Sequence, residues 1–152
     1  MNKKIPLIKL APIIEEKLRA GGSVTLEITG QSMLPLLVQG RDSISLVRCD
    51  EKLKKYDLPL YRRADGSFVL HRVIGVRRGG YVMCGDNQYE KEYPVTDDQI
   101  IGVVSSILRD GKHICVGDVE YIKYVKRRVR SRAFRRAKAH IFKVGRILFG
   151  KK

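Results

Sequence analysis

Residues 24–29 read Val-Thr-Leu-Glu-Ile-Thr, apolar and polar in strict alternation, which predicts a half-buried strand. Before it, residues 6–20 carry apolar positions at helical spacing and end on Gly21-Gly22, which predicts an amphipathic helix with a glycine stop. After it, Gly-Gln-Ser-Met-Leu-Pro opens a loop that runs to Gly40 with one short apolar turn. Alternation returns at Ser43–Arg48 and, more weakly, at Leu58–Arg62, where Pro59 removes a ladder donor. Ala64-Asp65-Gly66 marks a turn into Ser67–Val76, a long apolar, β-branched run that predicts one strand. Arg78-Gly79-Gly80 turns this run into Tyr81–Cys84, and Gly85-Asp86-Asn87 turns it again. Ile100–Leu108 and Lys112–Val116 flank Arg109-Asp110-Gly111 as a hairpin.

Short strands with no helix between them predict a mainly β, antiparallel domain over residues 23–117. From Asp118 the period changes. Ile122, Val125, Val129, Ala133, Ala137, Ile141, Val144 and Leu148 recur every three or four residues. That predicts one amphipathic helix, or two broken near Gly145, over residues 118–152, with Asp118 as N-cap. The expected organisation is therefore an N-terminal helix (1–22), a β domain (23–117) and a helical tail (118–152).

Charge sharpens the division. The chain of 152 residues has a formal net charge of +15, yet residues 119–152 hold 13 Lys and Arg against one acid, Glu120. The tail therefore expects an anionic partner. Cys49, Cys84 and Cys115 are an odd, scattered set without a Cys-x-x-Cys pair, which argues against a disulfide framework and against a zinc site. They suit a reducing, cytoplasmic setting. Lys9, Glu15, Glu16, Lys17 and Arg19 interrupt the N-terminal apolar run, so it does not read as a signal peptide. The longest uncharged stretch, Ile28–Gly40, falls short of the roughly 18–20 apolar residues of a membrane span.

Three places carry candidate chemistry. Ser32 sits on the loop after the first strand, His71 within an apolar strand, and Asp86 in the following turn. A serine hydroxyl needs a base to become a nucleophile, and histidine titrates in the right range to be one. The histidine in turn needs a partner on its other ring nitrogen, and a carboxylate on the adjacent hairpin suits that role. Each residue also has an ordinary reading: a loop serine, a core histidine, a turn aspartate.

Gly30-Gln31-Ser32-Met33-Leu34-Pro35, then Gly40-Arg41-Asp42, then His71-Arg72-Val73-Ile74, then Gly85-Asp86-Asn87 resemble, in that order, the motifs of the signal peptidase I superfamily, which includes the LexA-type self-cleaving repressors. The motifs span residues 24–106. The resemblance implies a coiled antiparallel β-sheet fold, a nucleophile at Ser32, and serine endopeptidase activity on leader or precursor peptides without a cofactor or metal. Where bacterial members have a lysine base, this chain has His71-Arg72-Val73, similar to the endoplasmic-reticulum and archaeal Ser-His branch. Asp86 then matches the family aspartate. Glu92 stands where Ser-His relatives often carry a second acid, as an alternative partner for His71. Gly30 lets backbone approach a substrate closely, and the Ser32 N–H is the expected oxyanion donor beside Met33. The chain departs from the pattern in three ways: the Gly-Asp motif is one residue longer, Gly30 replaces a hydroxyl that would be a second oxyanion donor, and there is no membrane-spanning anchor.

The basic tail, with Lys126, Arg127, Arg128, Arg130, Arg132, Arg135 and Arg136 around an apolar stripe, fits a peripheral place at the inner face of an anionic membrane, and nucleic acid less well. A peptide substrate is expected to lie extended against residues 24–29. The competing expectation is an inactive module that binds a peptide or partner and docks through its tail.

Overall fold

The computed structural model describes residues 6–149, with side chains through Ile141. It is a mainly β structure with a curled antiparallel sheet, an N-terminal helix and two C-terminal helices. Helix α1 (Leu7–Arg19) buries Ala11, Ile14 and Leu18 on one stripe and ends before Gly21, whose φ of +79° no L side chain adopts readily. Strands follow as β1 (Val24–Glu27), β2 (Asp42–Val47), β3 (Pro59–Arg62), β4 (Phe68–Leu70), β5 (Arg72–Arg77), β6 (Gly80–Cys84), β7 (Glu92–Val95), β8 (Ile100–Arg109) and β9 (Lys112–Cys115). Pro59 is tolerated because it opens β3.

The larger sheet has the order β1-β2-β8-β3-β4, with β9 also on β8, and the smaller has β5-β6-β7. Irregular register at Ser45/Leu46 and at Leu60/Tyr61 bends the larger sheet along β8. Its two ends, β1 and β4, are both edges. One core, including Leu37, Leu46, Leu60, Val104 and Ile107, also takes in Leu18 from α1. A second core, including Tyr61, Val73, Tyr81 and Met83, spans both sheets.

Three expectations change. The run Ser67–Val76 is not one strand: it breaks at His71 into β4 and β5, which belong to different sheets. Glu92–Val95 pairs with β6 although its Tyr-Pro pair gives little strand signal. The tail breaks not near Gly145 but at Ser131, into α2 (Val119–Arg130) and α3 (Arg132–Phe149). Ser131 Oγ donates to the Arg128 carbonyl, as serine does where it competes with a helix's own bonds. Asp118 stands at the N-cap position of α2, but its carboxylate accepts from the Cys115 N–H rather than capping the helix. Tyr121 and Val125 of α2 are buried in the same core as Leu18. Among the described residues, no helix is long and apolar enough to cross a membrane.

Candidate active site

The loop that carries Ser32 is held at both ends. Gly30 has a φ of +81°, and its N–H donates to Gln39 Oε1 at 3.1 Å. Met33 and Leu37 are buried beneath the loop, and the Leu37 N–H donates to the Met33 carbonyl at 3.0 Å. At the far end the Asp42 carboxylate accepts from the Val38 N–H and from Arg41 and Arg109, each at 2.8 Å. Burial opposes its ionisation, but the two guanidiniums outweigh burial and hold it below the usual carboxylate range. That is the structural use of the Gly40-Arg41-Asp42 motif: it closes the base of the loop.

Ser32 itself is half-buried. Its carbonyl accepts the Asn87 N–H at 2.8 Å, and Asn87 Nδ2 donates to the Gln31 carbonyl at 3.2 Å. The loop thus rests on the Gly85-Asp86-Asn87 turn. A Cβ at Gly85 would stand 2.7 Å from the Ser32 carbonyl oxygen, so this contact needs glycine there. Among the described residues, the Ser32 hydroxyl and N–H have no hydrogen-bond partner. Ser32 and His71 line one cleft of about 660 Å³, walled by Leu26 of β1, Ile28 just after it, and Phe68 and Leu70 of β4. A larger groove of about 970 Å³ elsewhere on the surface holds neither residue.

His71 occupies the link between the two sheets and is 2 % exposed. Its Nδ1 lies 3.1 Å from Glu92 Oε1 and 3.3 Å from the Tyr61 hydroxyl. The Glu92 carboxylate, which can only accept, fixes the ring proton on Nδ1 and leaves Nε2 as the basic nitrogen. Burial pushes the His71 pKa down, and the Glu92 charge only partly offsets this. Burial thus favours the neutral imidazole. Glu92 is clamped by Arg63, with Nε to Oε2 at 2.8 Å and Nη2 to Oε1. Arg63 keeps that carboxylate ionised against partial burial.

Asp86 is not the residue beside His71. Its two oxygens each accept from Arg72, Nε to Oδ1 and Nη2 to Oδ2, at 2.8 Å. The reason is the pleat: His71 and Arg72 are neighbours on extended backbone, so their side chains leave on opposite sides. His71 reaches β7, and Arg72 reaches the turn after β6. Arg72 is fully buried and also donates to the Tyr56 carbonyl at 3.0 Å and the Tyr121 hydroxyl at 3.1 Å. Of the two carboxylates, Glu92 therefore stands at the histidine, and Asp86 shapes the turn beneath the serine loop.

Nothing in the sequence marks Tyr61 and Arg63 as neighbours of this pair. The sequence did contain a sign of the Arg72–Asp86 contact, since an arginine within Val-Leu-His-Arg-Val-Ile needs a buried anion. Three tail arginines also turn inward. Arg128 donates to the Asp86 carbonyl at 3.1 Å and to the Leu34 carbonyl at 3.4 Å. Arg135 reaches the same Asp86 carbonyl at 3.2 Å, and Arg132 the Tyr89 carbonyl at 3.0 Å. Among the described residues, no group of three His, Cys, Asp or Glu is placed to hold a metal ion. Comparison with known protein families finds no match, and comparison with curated proteins finds none.

Proposed function

We propose that the chain is a serine endopeptidase in which Ser32 attacks, His71 moves the proton and Glu92 orients His71. The observation that carries this is a buried histidine held on one nitrogen by a carboxylate, in the same cleft as a serine on a braced loop. Ser32 Oγ adds to the peptide carbonyl as His71 Nε2 takes its proton. The Ser32 N–H, which has no hydrogen-bond partner among the described residues, is the donor that would receive the oxyanion. Collapse of the adduct breaks the C–N bond, and the amine leaves with the proton from His71. A water deprotonated by His71 then hydrolyses the ester and restores Ser32.

The substrate is a peptide in extended form. The outer edge of β1 is open to strand addition, and the cleft between the two edge strands is walled mainly by apolar residues. This favours a leader or precursor segment with apolar side chains next to the cleaved bond.

Purified protein incubated with a mixture of extended apolar peptides should give defined fragments. Ser32→Ala and His71→Ala should each lower the rate by about a thousandfold or more with an unchanged circular-dichroism spectrum. Undiminished cleavage by Ser32→Ala would refute the assignment. One observation favours a second reading, a peptide-binding module without turnover: the Ser32 hydroxyl makes no hydrogen bond to His71. Such bonds often tighten only with substrate bound. Peptide capture with no fragments from either parent or Ser32→Ala would decide for the second reading.

A further inference from the structure

Helix α3 has two unlike sides. Arg132 and Arg135 tie one side to the Tyr89 and Asp86 carbonyls. On the other, Phe134 is 73 % exposed and Ile141 is 70 % exposed. Seven residues are two helical turns, so these two side chains stand on one face, with exposed Ala137 between them. The same spacing continues in the sequence at Val144 and Leu148. An apolar stripe on a helix already fastened by its opposite side is not a core face awaiting the body of this molecule.

The charge around the stripe selects its occupant. Arg127, Arg130, Arg136 and Lys138 are exposed, Arg128, Arg132 and Arg135 are turned onto backbone carbonyls, and Glu120 is the single acid of residues 119–152. A second copy of the chain would bring two such basic surfaces together and repel. A nucleic-acid backbone would neutralise the charge but has no use for aromatic and aliphatic side chains in a row. An anionic lipid surface meets both features at once.

We propose that the outer face of α3 lies on an anionic lipid surface, with Phe134 and Ile141 entering the acyl boundary and the exposed Lys138, beside them on the helix, among the headgroup phosphates. The first turn of α3 is bonded to the turn under Ser32, so docking through α3 acts on the element that supports the serine loop. The inference rests on the helix and its charge, and it stands whether or not Ser32 is a nucleophile.

The test is co-sedimentation of the full chain with vesicles of phosphatidylglycerol and phosphatidylcholine, against vesicles of phosphatidylcholine alone. The protein should pellet with the anionic vesicles only, and less so as salt rises. The pair Phe134→Asp with Ile141→Asp should weaken binding about tenfold or more while leaving the fold intact, since both side chains are exposed. Lys138→Glu should weaken it as well. Ser32→Ala should bind as the parent does, which separates this result from the peptidase assignment. Equal pelleting with both vesicle types, or none, would overturn the proposal. So would an unaltered partition of the Phe134/Ile141 variant, or displacement from the vesicles by a random-sequence DNA duplex.

Discussion

Asp86 gives both carboxylate oxygens to Arg72, at 2.8 Å each, in a pair with Arg72 fully buried and Asp86 5 % exposed. Glu92, six residues later, reaches His71 instead. The two acids therefore predict opposite phenotypes. Asp86→Asn leaves a buried guanidinium without its counter-ion and should cost about 3–5 kcal/mol in urea unfolding. Replacing both partners by apolar residues, Arg72→Met with Asp86→Leu, should recover much of that loss. Glu92→Gln touches a partly exposed pair with Arg63 and should cost about 1 kcal/mol or less. It should nevertheless lower kcat by about a hundredfold or more, because the imidazole loses its anionic, acceptor-only partner and an amide can present an N–H to Nδ1 instead. Full activity in Glu92→Gln would return the orienting role to another group.

The state of His71 gives a pH prediction. Burial lowers its pKa below the ordinary 6.5, with Glu92 opposing. A general base must be unprotonated, so kcat/KM should rise with pH to a plateau, with its midpoint below 6.5. In Glu92→Gln the opposing anion is gone, so the midpoint of the residual activity should move lower still. Stability follows the same sign. The unfolded chain takes up the His71 proton first as pH falls, so this residue's contribution is complete above 6.5 and is lost between there and the folded-state value. An activity midpoint above 6.5 in the parent would show that His71 is not the buried neutral base described.

What the sequence made legible follows from what local patterns encode. The alternation of residues 24–29 and the period of residues 6–20 report which face is buried, and both elements appear where expected. The split of Ser67–Val76 was invisible, because the run is largely apolar throughout and which sheet each half joins is set by long-range pairing. That split decides the site: it puts His71 at a corner and sends Arg72 the other way. Asp86 looked the better acid because a Gly-Asp-Asn turn is an obvious place for one. Glu92 sits in a strand with little strand signal, and its nearness to His71 depends on the pairing of β7 with β6, a long-range fact. The tail arginines misled for a related reason. Composition counts charges, but not whether a guanidinium meets solvent or a backbone carbonyl.

Arg128 supplies the sharpest test of that last point. It joins the Leu34 carbonyl, in the serine loop, to the Asp86 carbonyl, in the turn on which the loop rests. A charged donor shared between two loops fixes their separation, and so the place of Ser32 relative to His71. Arg128→Ala should cost about 1–3 kcal/mol of stability and lower kcat about tenfold or more, with KM changed much less, since the cleft walls of Leu26 and Phe68 are untouched. Arg128→Lys keeps one cationic donor and should recover part of kcat. Arg127→Ala, an exposed neighbour, should change neither quantity. Amide exchange at Ser32 and Met33 should quicken in Arg128→Ala at a pH where the global fold is stable. If exchange and kcat both match the parent, the loop holds Ser32 through Asn87 and Asp42 without help from α2.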